Sequence, residues 1–93
     1  MLKELIEDGM LPVQALKSLV VQKPSISNLD LAIFFTDEFP DVSGEARQVI
    51  WRWERPGKRQ GIDDDKLNYL LLQLLVDASY ISHAEFEKMV MRV

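Results

Sequence analysis

Apolar residues in this chain recur three and four positions apart, which is the spacing of one face of an α-helix. Three apolar runs begin with one signature: an isoleucine precedes a capping residue, and a second apolar residue follows four positions after the cap. The capping residues are Ser27, Asp63 and Ser82. A capping side chain accepts a hydrogen bond from the first helical turn, and the flanking apolar pair packs together as a hydrophobic staple. The signatures predict helices that begin near Asn28, Asp64 and His83.

Glycine and proline divide the rest of the chain into further helical segments. Gly9 ends the first apolar run, Pro12 suits the first turn of the next helix, and Pro40 stops the third. Together with the caps, these residues predict helices over 2–8, 11–22, 28–38, 44–55, 64–79 and 83–92. No stretch alternates apolar and polar residues as a half-buried strand does. The pattern predicts an all-α fold, a compact bundle of five or six short helices.

The helix predicted over residues 64–79 has the longest apolar face. Its leucines follow helical spacing through successive turns, so we expect this helix at the centre of the core. The last predicted helix has an apolar face of its own, formed by Phe86, Met89, Val90 and Val93. Because little chain follows this helix, the face is expected to dock either on the core or on a second copy of the chain, which would make a homodimer.

Composition narrows the class of protein. A length of 93 residues suits one core, so residues 1–93 are predicted to form a single helical domain. The absence of cysteine excludes disulfides and thiolate metal sites, and it suits the reducing cytoplasm. No segment reaches the roughly 20 apolar residues that a membrane-spanning helix needs. We therefore expect a cytoplasmic protein with no membrane partner.

Residues suited to catalysis or metal binding are scarce. His83 is the only histidine, and no cysteine or second histidine exists to share a metal ion with it. The three aspartates at 63–65 lack the ligand spacing of a calcium loop, and acids at a helix N-terminus already have a structural reason. No phosphate-binding glycine loop occurs. We predict no catalytic residue, no metal ligand and no cofactor, and a protein that binds rather than an enzyme.

A basic stretch stands out in a chain whose net charge is −4. Between residues 47 and 59, five basic residues accompany one acid, Glu54. In the predicted fourth helix Trp53 lies on the apolar face, whereas Trp51 lies on the opposite side with an arginine one turn away in each direction. Either these arginines stack on the indole, or another helix covers it, or it belongs to a recognition surface. The binding residues predicted on the last interpretation are Arg47, Gln48, Trp51, Arg52, Arg55, Lys58 and Arg59.

Three motifs follow one another in the middle of the chain. They are Leu-Asp-Leu-Ala at 29–32, Val-Ile-Trp-Arg-Trp-Glu-Arg at 49–55, and Pro-Gly-Lys-Arg at 56–59 before the leucine-rich helix. This order, over residues 27–75, resembles the helix-turn-helix domains of the Cro and phage-repressor type. The resemblance implies a fourth helix in the major groove of double-stranded DNA, where the residues nearest the bases are Arg47, Gln48, Trp51 and Arg52. It also implies phosphate contacts from Arg55, Lys58 and Arg59.

The charges near the predicted turn favour a second hypothesis. Asp37, Glu38 and Asp41 would repel phosphates where helix-turn-helix domains usually touch them. A protein-interaction module, such as an inhibitor, an immunity-type protein or an adaptor, would instead offer Trp51 and the basic loop to an acidic protein surface. The predicted partner is therefore either double-stranded DNA or an acidic protein surface.

Overall fold

The computed structural model of this chain describes residues 2–55 and 60–93. Within these ranges the chain forms six α-helices, and the only β feature is one isolated bridge. In chain order, the helices are α1 (Leu2–Glu7), α2 (Pro12–Gln22), α3 (Asn28–Glu38), α4 (Glu45–Trp51), α5 (Asp64–Asp77) and α6 (His83–Val90). The predicted all-α bundle is confirmed. Its Cα radius of gyration of 12.1 Å is the value expected of a folded chain of this length.

The three predicted caps form and begin their helices at the expected residues. The hydroxyl of Ser27 accepts a hydrogen bond from the Asp30 N–H at 3.0 Å, and the Asp30 carboxylate accepts one from the Ser27 N–H, so the two residues make a capping box. Ser82 pairs with Glu85 in the same way at the start of α6. The side chain of Asp63 accepts from the Lys66 N–H at 2.8 Å and caps α5.

Helix α5 lies at the centre of the core, as its apolar pattern predicts. It packs against α2, α4 and α6, and its buried apolar residues are Leu67, Leu71, Leu72, Leu75 and Val76. The same helix buries one polar side chain, Asn68, whose amide oxygen accepts a hydrogen bond from the Val13 N–H at 2.8 Å. Because α2 has no side-chain cap of its own, Asn68 supplies a partner for an otherwise unpaired donor in its first turn. The centre of the bundle therefore also fixes the start of α2.

The fourth helix is shorter than predicted, and the residues after it pair with a later segment of the chain. The helix expected over 44–55 covers only Glu45–Trp51, so that prediction was wrong. Beyond it the backbone pairs with a later segment: the Ile62 N–H donates to the Arg52 carbonyl and the Glu54 N–H donates to the Ile62 carbonyl, both at 2.9 Å. These bonds replace the helical ones that a longer α4 would need. Trp53 therefore lies in this bridge, outside α4, and it is buried there.

The last helix docks on the protein's own core. Met89 is buried, and Phe86 and Val90 are half-buried against the core, whereas Val93 is exposed. The chain after the helix is held by Arg92, whose guanidinium donates to the Gly9 carbonyl at 2.5 Å. Most of this face, predicted to dock either on the core or on a second copy, thus packs on the core of its own chain.

None of the helices within the two described ranges combines the length and the apolar character that a membrane crossing requires.

Candidate binding surface on helices α3 and α4

The two tryptophans of the basic stretch lie in opposite environments, as the sequence predicts. Trp53 is fully buried, and its indole N–H donates to the Asp64 carboxylate at 2.8 Å. Trp51, the last residue of α4, is 61% exposed. An exposed indole offers a partner a large rigid apolar surface together with one hydrogen-bond donor. Trp51 is therefore the starting point of the candidate surface.

Three more of the predicted binding residues surround Trp51. Arg47, Gln48 and Arg52 are all exposed on or next to α4. The Arg47 side chain is held in place, because its Nε donates to the Thr36 hydroxyl on α3 at 3.0 Å. Four of the seven residues predicted from the sequence thus lie together around one exposed indole.

Arg55 lies in a different place from the one predicted. It lies beyond α4, so it is not one helical turn after Trp51, and its side chain is half-buried. Its guanidinium donates to the Ile26 carbonyl and, at 3.3 Å, to the amide oxygen of Asn28. The Asn28 amide nitrogen in turn donates to the carbonyl oxygen of Trp53 at 2.9 Å. Arg55 therefore ties the segment after α4 to the start of α3, and its contact with a partner stays a prediction.

The last two predicted residues, Lys58 and Arg59, lie outside the described residues. The described chain resumes at Gln60, which lines a shallow hollow beside the indole of Trp51. The floor of this hollow includes Gly61 and Ile62. The basic loop is thus joined at one end to a segment that lines the candidate surface.

Helix α3 adds an exposed apolar strip that the sequence analysis did not recognise. Leu29 is 55% exposed and Ile33 is 39% exposed, although α3 buries Leu31, Ala32 and Phe35. Projected on a helix, Leu29 and Ile33 lie one turn apart on the side of Thr36, which is the side that holds Arg47. The sequence alone could not show that Leu29 and Ile33 lie beside α4, because it does not show on which side of α3 the fourth helix packs.

The hydrogen bonds between α3 and α4 show that the two helices are antiparallel. Arg47 lies beside Thr36, near the end of α3, whereas the Trp51 carbonyl accepts a bond from Asn28, at its start. Helix α3 also carries two exposed acids, Asp30 and Asp37. On a helical projection they lie beyond its apolar strip, on the side that is away from α4. We call the resulting surface the α3–α4 face. It consists of Leu29, Asp30, Ile33, Asp37, Arg47, Gln48, Trp51 and Arg52.

The acidic run at 63–65 has structural partners next to this face. Asp63 caps α5, and Asp64 accepts from the Trp53 indole and pairs with Lys17 at 2.6 Å. Burial raises the pKa of Asp64, but the hydrogen bonds from Lys17 and Trp53 outweigh it and leave that pKa below its ordinary value. His83, the first residue of α6, is exposed. Among the described residues, no group of three or more histidine or acidic side chains is arranged to hold a metal ion.

Comparison of the chain with protein-family models, with curated proteins and with solved structures gives no match.

Proposed function

We propose that this protein is a non-enzymatic interaction module that binds an acidic surface of a protein partner through Trp51. The observation that carries the proposal is the 61% exposure of this indole between the exposed side chains of Arg47 and Arg52. Tryptophan and arginine are the residues most enriched at the energetic centres of protein interfaces. A flat apolar side chain beside two cations suits a partner surface that offers apolar contact edged by carboxylates.

The surroundings of Trp51 support the proposal because hydrogen bonds hold them in place within the chain itself. Arg47 is held by Thr36, and the end of α4 is held by the hydrogen bonds of Asn28 and Arg55. Side chains and backbone that are already ordered lose little conformational entropy when a partner arrives. The neighbouring Leu29 and Ile33 extend the apolar contact beyond a single side chain.

Binding to double-stranded DNA is the second candidate, and the exposed Gln48 and Arg52 of the α4 region favour it, since both residue types read base edges. Two observations weigh against it. Residues 39–44 separate α3 from α4, a longer connection than the 3–4-residue turn of helix-turn-helix units. Exposed acids, Asp41 and Glu45, also lie in or next to this connection, where they would repel phosphates.

A capture experiment with matched variants tests the proposal. The immobilised wild-type chain, Trp51→Ala and Met91→Ala are each exposed to lysate of the native host, with and without nuclease. Met91→Ala is the control, because Met91 is even more exposed but lies at the end of the chain. We expect a nuclease-resistant protein that the wild type and Met91→Ala retain and that Trp51→Ala loses, with unchanged thermal unfolding of both variants.

Two results would contradict the proposal. Equal capture by Trp51→Ala would show that the indole is not part of the binding surface. Capture that disappears with nuclease, together with retardation of duplex DNA whose affinity falls steeply with salt, would favour the DNA-binding candidate instead.

A further inference from the structure

The exposed apolar side chains of the α3–α4 face lie in a row that follows the direction of α3. Leu29 and Ile33 are one helical turn apart, about 6 Å along the helix, and both are exposed. Trp51 lies at the start of α3, because its carbonyl oxygen accepts a hydrogen bond from the Asn28 side chain. We call Ile33, Leu29 and Trp51 the apolar row. A partner element that runs along α3 can contact all three side chains.

An arginine lies near each end of the apolar row. The Arg47 Nε donates to the Thr36 hydroxyl at 3.0 Å, and that hydroxyl also lies within hydrogen-bond distance of the Ile33 carbonyl. Arg47 is therefore at the seam between the two helices, beside the Ile33 end of the row. Arg52 follows Trp51 and is exposed at the opposite end. Along α4 the two arginines are about 8 Å apart.

The acids of α3 restrict where a partner can carry its own charges. Asp30 and Asp37 are exposed beyond the apolar row, on the side away from α4. Carboxylates on that side of a partner would be repelled, whereas carboxylates level with Arg47 and Arg52 would be attracted. The face therefore suits an element whose centre is apolar and whose acids lie towards α4.

The backbone of the face favours a helix over an extended segment. An extended segment gains affinity by adding to the edge of a sheet, and α3 and α4 offer helical backbone instead. A helix pairs its own backbone groups and needs only side-chain contacts. Its positions i, i+3, i+4 and i+7 share one face, and i and i+7 are about 10 Å apart. Acids at i and i+7 then match the spacing of the two arginines, with apolar residues at i+3 and i+4 between them.

We propose that the partner element bound by the α3–α4 face is an amphipathic helix of this pattern, with two acids two turns apart that enclose an apolar pair. This inference rests on the proposed function and adds the kind of element that is bound. The apolar pair packs on the apolar row, and the acids pair with Arg47 and Arg52. Because the row is small and the ion pairs are exposed, one such helix should bind reversibly, with a dissociation constant in the micromolar to millimolar range.

A synthetic peptide tests the proposal on the full chain. The probe is a capped, alanine- and glutamine-rich helical peptide with glutamates at i and i+7 and leucines at i+3 and i+4. Two-dimensional ¹H–¹⁵N NMR follows the titration and gives a separate indole signal for each tryptophan. The Trp51 signal should shift saturably. The Trp53 signal should stay in place, because Trp53 is buried and its indole N–H is bonded to Asp64.

Three matched peptides separate the parts of the pattern. In the first, the glutamates are moved to the opposite side of the helix; in the second, glutamines replace them; in the third, a central proline breaks the helix. Each should bind at least about fivefold more weakly than the probe, because it loses either the two ion pairs or the preformed helix.

Charge exchange between protein and peptide assigns the contacts. Arg47→Glu and Arg52→Glu should each weaken binding of the probe by about fivefold to tenfold, because an attraction becomes a repulsion. Lysine in place of one peptide glutamate should restore the affinity of one variant, and lysine in place of the other glutamate should restore that of the other variant. Lys88→Glu, at an exposed position of α6, changes the net charge equally and should bind like the wild type. An unmoved Trp53 indole signal checks that each variant is folded.

Three results would overturn the proposal. They are the absence of any shift at millimolar probe, equal binding of the proline peptide, and failure of both charge exchanges to restore affinity. The capture experiment keeps these failures apart from failure of the proposed function. Loss of a captured protein in Trp51→Ala would still support a protein-docking surface without this helix, whereas equal capture by Trp51→Ala would contradict both.

Discussion

Single residues differ in how far their environment follows from sequence spacing. The opposite exposure of Trp51 and Trp53 was predicted correctly, but from one helix containing both residues, whereas α4 ends at Trp51 and Trp53 lies in the bridge beyond it. The partner of Trp53 was not predicted. The carboxylate of Asp64 accepts the indole N–H because the bridge between Trp53 and Ile62 brings the start of α5 close to the end of α4. The sequence pattern indicates that Trp53 is buried, but only the tertiary fold identifies its hydrogen-bond partner.

Asp64 allows a prediction that separates charge from hydrogen bonding. Asp64→Asn keeps an oxygen for the Trp53 indole but removes the ion pair with Lys17. We expect a small loss of stability at neutral pH, at most about 1 kcal/mol, because the paired side chains are 43% and 39% exposed. Asp64→Ala also leaves the indole N–H without its acceptor and should cost a further 1–3 kcal/mol or so. Urea unfolding of the three proteins measures both differences.

The stability difference between the wild type and Asp64→Asn should change with pH in one direction only. The folded-state pKa of Asp64 lies below the ordinary value of 3.8, so its ionised form stabilises the fold above that pH. The contribution is lost as the pH falls through the lower, folded-state pKa. The stability difference between wild type and Asp64→Asn should therefore be present at neutral pH and shrink below pH 3.8. A difference that grows on acidification would contradict the assigned pKa shift.

At the scale of helices, starts were predicted better than ends. Ser27, Asp63 and Ser82 act through hydrogen bonds to residues three positions away, so the signal is local and readable. The end of α4 depends instead on Ile62, which is distant in sequence and pairs with the backbone of Arg52 and Glu54. No sequence pattern near the end of α4 predicts such a bond. Because of this bridge, Arg55 lies beyond the end of α4 and not one helical turn after Trp51. The predicted residues that lie on the candidate surface are Arg47, Gln48, Trp51 and Arg52.

Two glycines test whether this bridge determines where α4 ends. Gly61 has a φ of +133°, and a Cβ built there would lie 2.0 Å from the Arg52 carbonyl oxygen. Gly61→Ala should therefore break the bridge and destabilise the fold by about 2 kcal/mol or more. Gly44→Ala is the matched control, because its φ is −59° and an added Cβ meets open space. It should be neutral or stabilise by up to about 1 kcal/mol. Equal thermal unfolding of the two variants would contradict the role given to the bridge.

At the scale of the whole molecule, one buried polar contact joins the central helix α5 to the start of α2. The amide oxygen of the buried Asn68 accepts a hydrogen bond from the Val13 N–H at 2.8 Å. Asn68→Ala leaves this buried donor without its partner and should lower the free energy of unfolding by about 1–3 kcal/mol. For a domain of this size, each kcal/mol lowers the melting temperature by roughly 4–8 °C. Lys66→Ala, at an exposed position of the same helix, is the matched control and should change the free energy of unfolding by no more than about 0.5 kcal/mol. Equal melting temperatures of the two variants would contradict the role given to Asn68 in fixing α2 on the core.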